Sequence, residues 1–142
     1  MSKLVVVGEL ASLSTIADYI KQLAQEAGLD THQSYNLRLA VDEVSTNIVL
    51  HGYGPAEQPG WLEFDAILTP QQLTVILEDT GVMYDPRQLN QCELLQLDLP
   101  LEQRPPGGLG IYLAMRGVDE FHYERLSDRN RTRFIVNRIP QP

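Results

Sequence analysis

The sequence predicts an α+β two-layer sandwich, a mainly antiparallel sheet covered on one face by helices. Three observations predict it. Two stretches of helical apolar spacing stand side by side near the start, between Leu13 and about His51. From Trp61 the hydrophobic period shifts to two, in WLEFDAIL and LTVILED. The strand-like segments are joined by short turns, so neighbours in sequence pair antiparallel and the helices must share one face.

Each element follows in order. KLVVVG (Lys3 to Gly8) is β-branched and ends at glycine, which predicts a strand. Ser12 or Ser14 can cap a helix running to about Ala27, with Gly28 as its stop. Leu13, Ile16, Ala17, Ile20, Leu23 and Ala24 give that helix its apolar stripe. Asp30, Thr31 or Ser34 opens a second helix reaching about His51. In WLEFDAIL, Leu62, Phe64, Ala66 and Leu68 share one face, with Glu63 and Asp65 opposite. TPQQ is a turn and LTVILED the returning strand. Pro86 to Pro106 holds four prolines and at most a short helix, followed by a loop. Gly107 to about Arg116 reads as a glycine-initiated helix. VDEFHYERL and TRFIVNRI, with SDRNR between them, make a closing hairpin.

A chain of 142 residues is one domain's worth, and no repeat or composition break divides residues 1–142. The net charge of −8 disfavours nucleic acid and anionic membranes as partners. Cys92 is the only cysteine, so neither an internal disulfide nor a cysteine zinc site is available. MSKLVVVGELAS lacks the pattern of a secretory signal, and no apolar run is long enough to span a bilayer. The expected location is the cytoplasm.

The second helix carries an anomaly. Successive residues rotate by about 100°, which aligns Leu37, Val41, Val44 and Ile48 as the core stripe. Glu43 and Asn47 stack on a flank beside that stripe, in line with Asn36, while Arg38, Asp42 and Ser45 fall on the far side. Polar groups bordering a core need partners, since burying them alone costs several kcal/mol, of the order of 2–7. Either the pair bonds to itself or to a neighbouring loop, or it serves chemistry. In the second case the Asn47 carbonyl oxygen is a hard ligand for Mg²⁺ and Glu43 a proton acceptor. His51, at the helix end, reads as structural.

Two later segments bear on the choice. LEDTGVMYDP (Leu77 to Pro86) ends a strand in Asp79 and follows it with Gly81. A carboxylate there can accept a hydrogen bond from an exocyclic amine such as adenine N6, while a glycine admits the planar base. A plain turn uses the same residue types. RPPGGLGIYLAM (Arg104 to Met115) sets Gly107, Gly108 and Gly110 before a helix, where free N–H groups can face an anion. A hinge would also explain it, and it is neither a P-loop nor a dinucleotide fingerprint.

Together the three segments, in this order, resemble the motifs of the GHKL ATPases, the superfamily of DNA gyrase B, the ninety-kilodalton heat-shock chaperone and histidine kinases. Glu43, Asn47 and His51-Gly52-Tyr53 are similar to its N box. Asp79, Gly81, Tyr84, Asp85 and Pro86 are similar to its G1 box, and Gly107-Gly108-Leu109-Gly110-Ile111 to its G2 box. HGY, YDP, GGLGIYL and VDEFHY resemble in particular the anti-sigma factor serine/threonine kinases. The resemblance implies a Bergerat fold, a mixed and largely antiparallel sheet backed by helices, binding ATP and Mg²⁺.

The same resemblance makes Glu43 the general base and Asn47 the Mg²⁺ ligand. Asp79 would bind adenine, with Gly81 beneath the base and Tyr84 and Asp85 in the same box. Gly107, Gly108, Leu109, Gly110 and Ile111 would hold the phosphates. It implies as partners an anti-anti-sigma (STAS-domain) protein, a sigma factor or other regulator, and a second copy in a homodimer. The sequence departs from the pattern at Val82-Met83, where many relatives place another glycine. Its proline-rich lid has no evident lysine, and Arg87 and Arg104 are the nearby cations. The competing readings are a non-catalytic interaction module and a detached histidine-kinase ATPase domain. Arg125, Arg129, Arg131 and Arg133 read as a solvated basic hairpin or a docking spot for an acidic partner.

Overall fold

The computed structural model describes residues 3–52, 60–81 and 115–138. Strand β1 is Leu4–Val7, helix α1 Leu13–Ala27, helix α2 Thr31–Asn47, and strands β2 Trp61–Leu68, β3 Gln72–Asp79, β4 Glu120–Arg125 and β5 Asn130–Asn137. The strands form one sheet in the order β1-β2-β3-β5-β4. All four pairings between them are antiparallel. The two-layer α+β architecture is the one expected from the sequence. The short helix and loop expected between Pro86 and Pro106, and most of the helix from Gly107, lie outside the described residues.

Local chemistry sets the helix ends. Gly28 closes α1 with φ +69, a left-handed conformation that glycine adopts without steric cost. Asp30, of the three candidates, opens α2. Its carboxylate accepts from the Gln33 N–H at 2.7 Å and its N–H donates to the Gln33 side chain at 3.2 Å, a capping box. The same Gln33 side chain donates to the Asn137 carbonyl at 2.9 Å, which fixes the start of α2 at one end of β5. Beyond Asn47 the helix loosens into a π-helical turn, Ile48–Gly52.

The alternation expected in β2 and β3 is observed. Leu62, Phe64, Leu73, Val75 and Leu77 are buried together with Phe134 and Val136 of β5. Against them pack Ile16, Ile20 and Leu23 of α1 and Leu37, Val41, Val44 and Ile48 of α2, so both helices lie on one face. Ser45 corrects the helical wheel: it was expected on the far side and is fully buried, its hydroxyl without a hydrogen-bond partner among the described residues. The buried arc of α2 runs from Ala40 to Ser45, about 140° of the wheel. It is wider than the apolar stripe because α2 packs against α1 as well as the sheet.

The opposite face of the sheet mixes charged side chains with exposed Val5, Trp61 and Ile67. Glu63 pairs with Lys3 at 3.0 Å, and Arg131 bridges Glu78 at 3.4 Å and Glu124 at 3.2 Å. At the far end Arg138 donates to the Ala27 carbonyl at 2.8 Å and to the Thr69 carbonyl at 2.7 Å. It thereby ties the end of β5 to the end of α1 and to the β2–β3 turn. No helix among the described residues is long and apolar enough to cross a membrane.

Candidate functional site

Alternation along β3 puts Leu73, Val75, Leu77 and then Asp79 on the helix-facing side. The fourth position of an apolar row is therefore a carboxylate, only 3% exposed. Such burial is costly without donors. Asp79 Oδ1 receives two, the Asn130 side-chain amide at 2.9 Å and the Gly81 N–H at 3.0 Å. Burial pushes the Asp79 carboxyl above its ordinary value, and these hydrogen bonds and the Arg125 charge oppose the shift.

Neighbouring strands complete the surroundings. The register sets Asn130 opposite Asp79 and Arg125 opposite Asn130. Asn130 Oδ1 accepts from the Tyr123 hydroxyl and from Arg125 Nη1 at 3.3 Å. The Gly81 carbonyl accepts from Arg125 Nη1 at 2.9 Å and from Asn130 Nδ2 at 3.3 Å. Arg125 is exposed, as expected of a solvated hairpin, yet its Nη1 is bonded into the end of the sheet. Arg129 and Arg131 stay on the polar side, paired with Glu78.

Sequence reasoning missed Tyr123, Arg125 and Asn130. The signal was present: counting back by two from buried Phe134 reaches Thr132 and Asn130, both buried. Counting forward by two from Phe121 reaches Tyr123 and Arg125. The turn-like composition of SDRNR hid the start of β5 at Asn130.

Glu43 and Asn47 form the second group, both half-buried on one flank of α2. The Asn47 side-chain N–H donates to the Glu43 backbone carbonyl at 2.9 Å. That bond requires the Nδ2 side of the amide to face the helix, which turns Oδ1 away as the free acceptor side. Partial burial and the neighbouring Asp42 raise the Glu43 carboxyl above its ordinary value. Farther along this flank Asn36 touches the turn before β4. A Cβ at Gly117 would come within 3.0 Å of Asn36 Cβ, so glycine permits the approach.

α2 starts beside Asn137, opposite the Asp79 end of the sheet. At about 1.5 Å per residue it extends about 25 Å, close to the roughly 26 Å of an eight-residue strand such as β3. That length is enough for its last turn, with Glu43 and Asn47, to reach the Asp79 end. No hydrogen bond among the described residues joins the two groups. Tyr84, Asp85, Gly107, Gly108, Leu109, Gly110 and Ile111 lie outside the described residues.

A groove of ≈ 410 Å³ lies on the other face, lined by Lys3, Glu63, Asp65, Glu78, Arg131 and Arg133 among others. Its charges largely pair with one another, as expected of a solvated sheet face. Among the described residues no group of three or more His, Cys, Asp or Glu side chains could hold a metal ion. A lone Asn47 carbonyl oxygen fits Mg²⁺ of the kind that takes most of its ligands from water and substrate phosphates.

Comparison with known proteins finds relatives in sequence and in fold. The chain is 28% identical over 99 residues to the serine-protein kinase RsbW of Bacillus cereus (strain AH187), covering 69% of this chain and 61% of that protein. The RsbW proteins of Bacillus anthracis and Bacillus thuringiensis (strain Al Hakam) match to the same extent. The chain thus spans 61% of the length of these relatives. In fold it resembles the histidine kinase domain of a blue-light activated histidine kinase from Erythrobacter litoralis EL346. That likeness has a TM-score of 0.54 and 19% identity, over 89% of this chain and 59% of the other. Residues 6–136 match the histidine kinase-like ATPase domain, and the chain belongs to that family.

Proposed function

We propose that the chain is an ATP-dependent protein serine/threonine kinase and anti-sigma regulatory factor of the cytoplasm. Its substrate is a serine or threonine of an anti-anti-sigma (STAS-domain) protein, and as a homodimer it holds a sigma factor or similar regulator. The observation that carries this reading is Asp79, a carboxylate buried at the end of an apolar row with both described donors on Oδ1. No described residue donates to Oδ2, which leaves an acceptor for the adenine amine. Similarity to the RsbW serine-protein kinases supplies the reaction class.

In this reading Asp79 orients the base and Gly81 lies beneath it. The outward Asn47 Oδ1 holds Mg²⁺, and Gly107, Gly108 and Gly110 meet the phosphates. Bound Mg-ATP supplies the phosphoryl group and the charge neutralisation that such transfers need. Glu43 takes the proton released as the acceptor hydroxyl forms its new bond to phosphorus, with ADP leaving. The raised proton affinity of Glu43 suits that task.

The test is transfer of labelled γ-phosphate from Mg-ATP to a purified STAS-domain protein. Glu43→Ala is expected to slow transfer by about 100-fold or more, with nucleotide still bound in calorimetry. Undiminished transfer removes Glu43 from the role. Absence of any ATP binding by the unaltered protein would leave the non-catalytic interaction module as the better reading.

A further inference from the structure

Asn130 has no part in the motifs discussed above, yet it is 3% exposed and bonds to Asp79, Gly81, Tyr123 and Arg125. Its amide can point only one way. Oδ1 accepts from the Tyr123 hydroxyl and Arg125 Nη1, while Nδ2 donates to Asp79 Oδ1 and the Gly81 carbonyl. Flipping it would set an acceptor against a carboxylate and a carbonyl, and N–H groups against Arg125 Nη1, which can only donate. The orientation is therefore dictated by chemistry, and so is what Asn130 presents to Asp79: a donor.

We infer that Asn130 is a positioning residue for nucleotide-base selection, fixing Asp79 so that its second oxygen meets the base as an acceptor. With Oδ1 held between Asn130 and the Gly81 N–H, the carboxylate cannot rotate. Oδ2 is then matched to an exocyclic amine, as on adenine, and mismatched to a carbonyl oxygen at the same ring position, as on hypoxanthine or guanine. Tyr123 and Arg125 act one step further out by holding the amide. The Asn130 hydrogen bond also lowers the proton affinity that burial raises, which favours the acceptor form. This inference rests on the reading of Asp79 as the base-binding group.

Calorimetric affinities for Mg-ATP and Mg-ITP separate the possibilities, since ITP replaces the amine with a carbonyl oxygen. Asn130→Ala is expected to lower the ATP-to-ITP preference by about tenfold, the worth of one hydrogen bond to a charged group. A merely structural role would weaken both nucleotides together. An unchanged ratio in folded Asn130→Ala, whether affinities fall or not, overturns the inference. If that variant does not fold, Tyr123→Phe decides: a lowered ratio supports the inference and a wild-type ratio overturns it. Asp79→Asn tests the underlying reading separately. Its loss of ATP preference upholds Asp79 as the base-binding group, and wild-type preference in that variant removes it whatever Asn130 does.

Discussion

At Asp79 the demands of folding and of the proposed binding pull in opposite directions. Its proton affinity in the folded chain lies above that in the unfolded chain because burial penalises the charge. Between the ordinary carboxylate range and the raised value, the folded state holds the proton more often. Stability from this group therefore falls as pH rises through that window and is level above it. Asp79→Asn keeps the shape and removes the charge. Without nucleotide it should melt at a higher temperature than wild type at pH 7, with the gap closing as pH drops below the ordinary carboxylate range. Thermal melts from pH 4 to 8 measure this, and equal melting at pH 7 counts against it. Glu43, Asn47 and Asp79 were legible in the sequence as polar residues at apolar borders. For Tyr123, Arg125 and Asn130 alternation could place the face, but their meeting at Asp79 comes from a strand register that local composition does not reveal.

Among the elements, α2 depends most on a few local contacts. Asp30 caps it reciprocally with Gln33, and Gln33 ties it to β5. Asp30→Ala should cost about 1 kcal/mol, read from urea unfolding. A loss below a few tenths would mean that the Gln33–Asn137 bond holds the helix start unaided. The periodicity of α1, β2 and β3 located them from sequence because each buries one regular face. Ser45 escaped because the wheel shows one stripe, while α2 is covered from two directions. The start of β5 escaped because Asp128, Arg129 and Asn130 have turn-forming or polar side chains, yet Asn130 pairs with Asp79 in the ladder.

At the level of the whole molecule, the two faces of the sheet contribute unequally. Phe134 is fully buried and stacks edge-on to Phe121 with ring centroids 5.4 Å apart. Phe134→Ala should cost about 3–5 kcal/mol. Arg131, itself 37% exposed on the other face, makes ion pairs with Glu78 and Glu124, which are 20% and 48% exposed. Arg131→Ala should cost under about 1 kcal/mol, because solvent screens such pairs. Denaturant midpoints compare them, and a larger loss at Arg131 would reverse this ranking of the faces. The architecture was legible because periodicity and turn length restrict it, whereas strand order depends on contacts far apart in the chain. One such contact governs how the protein is made. β5 is the last described strand to be synthesised, yet it lies inside the sheet between β3 and β4. On the ribosome, β1 to β3 and both helices emerge with that place unfilled, and Asp79 remains without Asn130. Only when residues up to Arg138 have cleared the exit tunnel can the sheet close, and the Asp79 end must form in that same late step.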